Sequence, residues 1–185
     1  MTDIDYTYYS YRMCVGAYFE MPTVDARKLL PDHLQPLEVQ HERSILAITA
    51  FHFTESIVGA YHEIVLSVVV PPVVELGQPL PKAAFFPFMV GTTTEASRQH
   101  AIDRWHLPHF MSDLDIEFDE TEEVMTVHVL DQGSPVLDLE VTEFEFEPST
   151  NLYSCFTVGD SSRHRVNIYM EAPHAEHEEE RGSLR

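Results

Sequence analysis
The sequence predicts an α+β domain that is mainly antiparallel β, an open or closed barrel with about two short helices. Three observations predict it. Apolar and polar residues alternate along much of the chain, as in "EVMTVHVL" and "SPVLDLEVTEFEFE". Turn residues such as "DQGS" and "GDSS" separate neighbouring β-rich runs, which marks hairpins. Only two segments carry helical start and stop signals.

The first of these is "TVDARKLLPDHL". Thr23 is placed to cap it, Asp25 suits its positive end, and Pro31 ends it. Leu29, Leu30 and Leu34 supply its apolar side. "RSILAITAFHF" follows, with apolar residues in both phases, which predicts a strand buried on both faces. "YHEIVLSVVV" is β-branched and bounded by Gly59 and Pro71, another strand. "LPKAAFF" reads as a loop or a strand edge. "TTTEASRQHAIDRW" is the second helix. Thr94 is its cap, Ala96, Ala101 and Ile102 lie on its apolar side, and it ends shortly before Pro108.

The hairpin "EVMTVHVL"–"DQGS"–"SPVLDLEV" comes next. Its second strand shifts apolar phase between Val141 and Phe144, which predicts a bulge or bend. "LYSCFTVGDSSRHRVNIYM" is a further hairpin. Residues 1–172 are therefore read as one domain. Residues 173–185, "PHAEHEEERGSLR", form a mobile acidic tail with no periodic apolar face.

Composition narrows the function. The chain has 185 residues, a 44% apolar share and a net charge of −20. A domain of this size needs neither metal nor disulfide to fold. The negative field repels phosphate backbones and anionic lipid, so nucleic-acid and membrane partners are not expected. Cys14 and Cys155 form no motif, and two free thiols in a reducing, cytoplasmic setting fit them best. The N-terminus has neither a basic n-region nor an apolar h-region, and "VVVPPVV" is too short to span a bilayer.

Four pieces occur in a fixed order: "SYRM", "LLPDHLQPL", "GAYHE" and "EASRQHAIDRWHLPHF". Together, over residues 10–130, they resemble the acetoacetate decarboxylase-like superfamily. The resemblance implies that family's β-barrel or sheet, a small-molecule substrate, no cofactor and a homo-oligomer. It sets Arg12 on the family's active-site arginine and Glu63 on the glutamate of its "G-Y-x-E" strand start. His109, after Pro108, falls on the lysine that forms the Schiff base. The family's other active-site glutamate has no counterpart, since Ala47 or Ile48 stands there.

A Schiff base needs a primary amine, and imidazole cannot make that electron sink. The two lysines are Lys28, on the first helix, and Lys82, in "LPKAAFF". What remains is acid–base chemistry. Glu63 opens an otherwise apolar strand, which would raise its pKa, and His109 titrates near neutrality. Both are candidate catalytic groups. Arg12 is a candidate for holding a carboxylate or enolate, with Tyr61, His52 and His106 as further substrate contacts. Each has a plainer structural reading: Arg12 paired with a neighbouring acid, Glu63 at a solvent-facing strand end, His109 packed in a turn. Trp105 and Leu107 read as packing residues.

No metal site is expected. Pro108 spoils the spacing of His106 and His109, and no spacing rule unites His52, His62, Glu63 and His128. His174 and His177 lie in the tail. No glycine-rich phosphate loop or acyl-enzyme motif is present. The leading expectation is thus a cofactor-free lyase or isomerase acting on a small carboxylate or β-dicarbonyl compound, of the kind used in natural-product biosynthesis. The alternatives are a non-catalytic small-molecule binding protein and a conventional decarboxylase using Lys82.

Overall fold
The computed structural model describes residues 6–122, 124–142, 147–159 and 162–174. Ten strands and two helices follow in the order β1 (Ser10–Pro22), α1 (Thr23–Leu29), β2 (Glu38–Gln40), β3 (Arg43–Glu55), β4 (Tyr61–Val70), β5 (Ala83–Thr92), α2 (Glu95–Trp105), β6 (Leu114–Glu120), β7 (Val124–Asp131), β8 (Ser134–Thr142), β9 (Glu147–Gly159) and β10 (Ser162–His174). They form two sheets and not a closed barrel. The large sheet runs β1-β3-β4-β5-β9-β10 with β2 on β3, and the small one runs β6-β7-β8. All pairings between these strands are antiparallel except a short parallel contact of β5 with β9 at Ala83–Phe85.

The small sheet packs on one face of the large one. Met13 and Val15 of β1, Ile48 and Ala50 of β3, and Ile64 of β4 meet Leu114, Ile116, Met125, Val127, Val129 and Leu139. This explains the double-sided apolar pattern of β3. Ile48 and Ala50 face the small sheet, while Ala47, on the other face, is also buried. β4 is likewise enclosed, with Val68, Val69 and Val70 buried in succession.

Two local expectations are corrected. "LPKAAFF" leads into a central strand, not a loop or an edge. Its Pro87, which has no N–H to give a ladder, sits at a register shift where β4 and β5 slip between Leu66 and Ser67. Thr23 does not cap α1. Pro22 holds the cap position, and the Thr23 hydroxyl lies 2.9 Å from Ser44 Oγ, tying the helix to β3.

Other expectations are met. Thr94 caps α2 by accepting from the Ser97 N–H at 3.1 Å. The β7–β8 hairpin turns on Gln132 and Gly133, with φ of 49° and 78°, the left-handed pair that a tight turn needs. β10 runs to His174, so its last two residues lie inside the segment expected to be tail. The phase shift at Phe144 and Phe146, the turn at 160–161 and residues 175–185, with His177, lie outside the described residues. Among the described residues, no helix is long and apolar enough to cross a membrane.

Candidate functional site
The face of the large sheet turned away from the small one carries the candidate groups Glu63 and Tyr61. Antiparallel partners point their side chains to the same side, so register alone builds a row across four strands. Cys14 pairs with Phe51, Phe51 with Glu63, and Glu63 with Thr92. One step along the strands, Tyr11 pairs with Phe53 and Phe53 with Tyr61. The rings of Phe51 and Phe53 stack at 5.0 Å, and Phe53 also meets Tyr61 at 4.9 Å and Tyr9 at 5.2 Å. Glu63 is thus set in an aromatic wall.

That setting controls its proton. Burial raises the Glu63 carboxyl from the usual range to about 7, and a hydrogen bond from the Tyr61 hydroxyl moderates the rise. The Tyr61 phenol is itself pushed up, first by burial and then by the Glu63 charge. Glu63 also acts at longer range. After burial, its charge is the second cause of the raised Cys155 thiol, which reaches about 12, and it contributes to the raised Tyr9 phenol. Tyr153 similarly contributes to the raised pKa of Tyr11. Strand β9 therefore presents Tyr153 and Cys155 toward the Glu63 side of the sheet.

The turn after α2 completes the site. His106 adopts a left-handed conformation at the helix end, with φ of 54° and ψ of 38°. Residues 108–110 then run beside β5 beyond its short pairing with β9: Val90 N–H donates to the Pro108 carbonyl at 2.9 Å, and Phe110 N–H donates to the Val90 carbonyl at 2.7 Å. This places His109 Nε2 2.9 Å from the Thr92 hydroxyl, next to Glu63 in the row. His109 Nδ1 lies 2.5 Å from the Phe110 carbonyl, to which it donates. The Thr92 hydroxyl thus lies between His109 Nε2 and the Thr94 carbonyl, which is 3.5 Å away. Burial lowers the His109 pKa, the Phe110 carbonyl opposes this, and Arg98 adds to it. The lowered pKa favours the neutral ring.

A second polar group lies along α2. Trp105 Nε1 donates to the Tyr9 hydroxyl at 2.8 Å, and that hydroxyl lies 2.7 Å from His100 Nε2. Burial lowers the His100 pKa, and the Arg104 charge adds to this. Trp105, read from sequence as packing, is a hydrogen-bond donor.

The expected substrate contacts do not all converge. Tyr61 adjoins Glu63. Arg12 falls at a register shift of β1, is exposed, and lies 3.5 Å from Glu120 of the small sheet. His52 and His62 are partners on the opposite face from Glu63, with rings 4.4 Å apart, and His62 Nδ1 donates to the Ile116 carbonyl at 2.5 Å. They join the two sheets and do not face Glu63. His106 stacks on His164 at 4.5 Å, and a side chain on Gly159 would strike its ring at 2.6 Å. His128 lies 2.7 Å from Asp138 on the small sheet, remote from this row. Lys82 is exposed at the end of β5 opposite Thr92.

Solved structures resemble this architecture. An acetoacetate decarboxylase from Legionella pneumophila matches with a TM-score of 0.62 at 12% identity, over 89% of this chain and 65% of that one. An acetoacetate decarboxylase-like enzyme from Sphingomonas wittichii RW1 matches with a TM-score of 0.50 at 14% identity, over 85% of this chain and 68% of that one. The chain has the acetoacetate decarboxylase-like fold. The enduracididine biosynthesis enzyme MppR complexed with pyruvate also matches, with a TM-score of 0.53 at 9% identity, over 91% of this chain and 76% of that one. The chain thus spans about two thirds of the length of the Legionella and Sphingomonas structures. No protein-family model matches the sequence, and neither does any curated protein.

Sequence reading missed Thr92, Phe51, Tyr9 and Cys155. Phe51 and Thr92 are legible only once strand register is known, because the row joins residues 14, 51, 63 and 92. Tyr9 lies in a run of tyrosines that gives no pattern of its own.

Proposed function
We propose that this chain is a cofactor-free acid–base enzyme that moves a proton on a small carbonyl compound, with Glu63 as the group that takes and returns it. The observation that carries this reading is the Glu63 carboxyl, enclosed by aromatic rings and hydrogen-bonded to Tyr61, with a pKa of about 7. At neutral pH both of its forms are populated, which suits a group that must accept and release a proton in one cycle. The carboxylate form would remove a proton from the carbon beside a carbonyl. The C–H pair becomes the C=C bond of an enolate as the C=O π pair moves onto oxygen, and return of the proton to the opposite face or to a conjugated carbon completes an isomerisation. With a β-hydroxyl on the substrate, the enolate pair reforms the C=O and C=C, the Cβ–O bond breaks, and the hydroxyl takes the proton held by Glu63 and leaves as water, a lyase reaction. The likeness to acetoacetate decarboxylases and to the biosynthetic enzyme MppR supports an enzyme of this general kind, including one in natural-product biosynthesis.

In this reading His109 holds Thr92 in the row and does not itself meet the substrate, because both of its ring nitrogens are engaged. The test is exchange of α-protons of a simple ketone in D2O, followed by NMR. Glu63→Gln should slow exchange by about 100-fold or more, whereas His109→Ala should cost less than tenfold. Equal rates for wild type and Glu63→Gln would remove the assignment. A second reading, ligand binding without turnover, is favoured by the engaged nitrogens of His109. It predicts stabilisation by a ligand with no exchange at all.

Self-association belongs to the same proposal. β1 and β10 are the outer strands of the large sheet, 13 residues each, and each pairs along one side only among the described residues. Light scattering should give at least a dimer, and a single-chain mass at working concentration would contradict it.

A further inference from the structure
We propose that the Glu63 site takes an uncharged ligand, with an apolar body and a ketone or hydroxyl oxygen, and rejects carboxylates. This rests on the reading of Glu63 as the working group and departs from the carboxylate expected from sequence.

The cations nearest the site are committed elsewhere. Arg12 lies off the Glu63 face and pairs with Glu120. Arg98 donates to Asp113 at 2.5 Å and to the Ser112 carbonyl at 3.2 Å, while its Nε is buried with no hydrogen-bond partner among the described residues and its charge reaches His109. Arg104 lies over the Trp105 ring at 4.8 Å. Arg163 and Arg165 pair across the β9–β10 hairpin with Val158 and Phe156, so they point away from the face that carries Cys155. The influences that set the Glu63 proton are burial and a tyrosine hydroxyl, with no guanidinium or ammonium among them. A carboxylate entering here would meet a second carboxylate in an apolar wall, while the nearby Arg98 charge is already paired with Asp113.

The wall suits a neutral guest. Phe51, Phe53 and Tyr61 supply aromatic surface, and Cys14 and Cys155 are half-buried residues whose thiols are held protonated. Thr157 follows Cys155 by two residues, so it shares that strand face, and its hydroxyl is buried with no hydrogen-bond partner among the described residues. A buried hydroxyl without a partner is costly, and a ligand oxygen would relieve it without bringing charge.

The test compares two molecules of equal shape, 4-phenyl-2-butanone and 3-phenylpropionate, which differ in having a methyl ketone or a carboxylate. Binding to the full chain is measured by calorimetry at pH 8 and pH 5.5. The ketone is expected to bind at least tenfold more tightly at pH 8. The gap should shrink at pH 5.5, where Glu63 is protonated, and should shrink at pH 8 in Glu63→Gln through a gain by the carboxylate. Thr157→Val should weaken the ketone several-fold, and Arg12→Ala should not change the ratio. Equal or tighter binding of the carboxylate, a gap indifferent to pH and to Glu63→Gln, or no binding of either molecule would overturn the proposal. Loss of carboxylate affinity in Arg12→Ala would also overturn it. The outcome is separable from the catalytic reading: a ketone that binds but does not exchange refutes catalysis alone, and exchange on a preferred carboxylate refutes the ligand class alone.

Discussion

At the scale of single residues, the raised pKa of Glu63 ties stability to pH, and in the proposed reaction it ties activity to pH as well. Its native pKa of about 7 lies above its ordinary value of 4.5, so the native state keeps a proton that the unfolded chain has released. Stability contributed by this group is intact below the unfolded value and declines as pH rises from there to about 7. Glu63→Gln should therefore stabilise the protein by up to about 3 kcal/mol at pH 8 and change little near pH 4.5, as read from urea unfolding at the two pH values. Exchange activity should rise with pH through a midpoint near 7. Tyr61→Phe removes a bond that favours the carboxylate, so that midpoint should move upward. A midpoint unmoved or lowered would show that the phenol does not act on the carboxyl. Glu63 was legible from its place at the head of an apolar strand. Its tyrosine partner was legible as a neighbour two residues away.

At the scale of elements, the helices show how far local chemistry reaches. The Thr94 cap satisfies an N–H that α2 would otherwise leave unpaired, and Thr94→Ala should cost about 1 kcal/mol, or a fall in Tm of about 2–4 °C. Thr23 has the same chemistry and the same place in its sequence, yet it bonds to Ser44 on a neighbouring strand. Nothing within "TVDARKLL" shows this, because the competing partner arrives through tertiary packing. The turn "WHLPHF" gives a similar lesson. Its sequence marks an end to the helix, but the meeting of His109 with Thr92 depends on β5 leaving room beside Val90.

At the scale of the whole molecule, the contact between the sheets fixes which face is left for chemistry. Ile116 is 1% exposed at that contact, so Ile116→Ala should cost about 2–5 kcal/mol by chemical denaturation. It should also slow exchange at Glu63 beyond what the lost stability explains, since β4 is clamped through Ile64 and His62 to the small sheet. A full loss of stability with unchanged exchange would show that the site does not depend on the clamp.

The sequence by itself determined the class of structure, the pairing of β7 with β8 and of β9 with β10, the cap and extent of the second helix, and the fold to which they add up. Alternation, turn residues and caps are local properties, and the order of four short pieces carries the likeness to the fold. It also showed that no lysine follows Pro108, which no packing could alter. Only the tertiary structure decided the face on which each polar residue falls. A side chain in a strand changes face with every residue, and a register shift at Arg12 turns it toward Glu120 while Cys14 remains in line with Glu63.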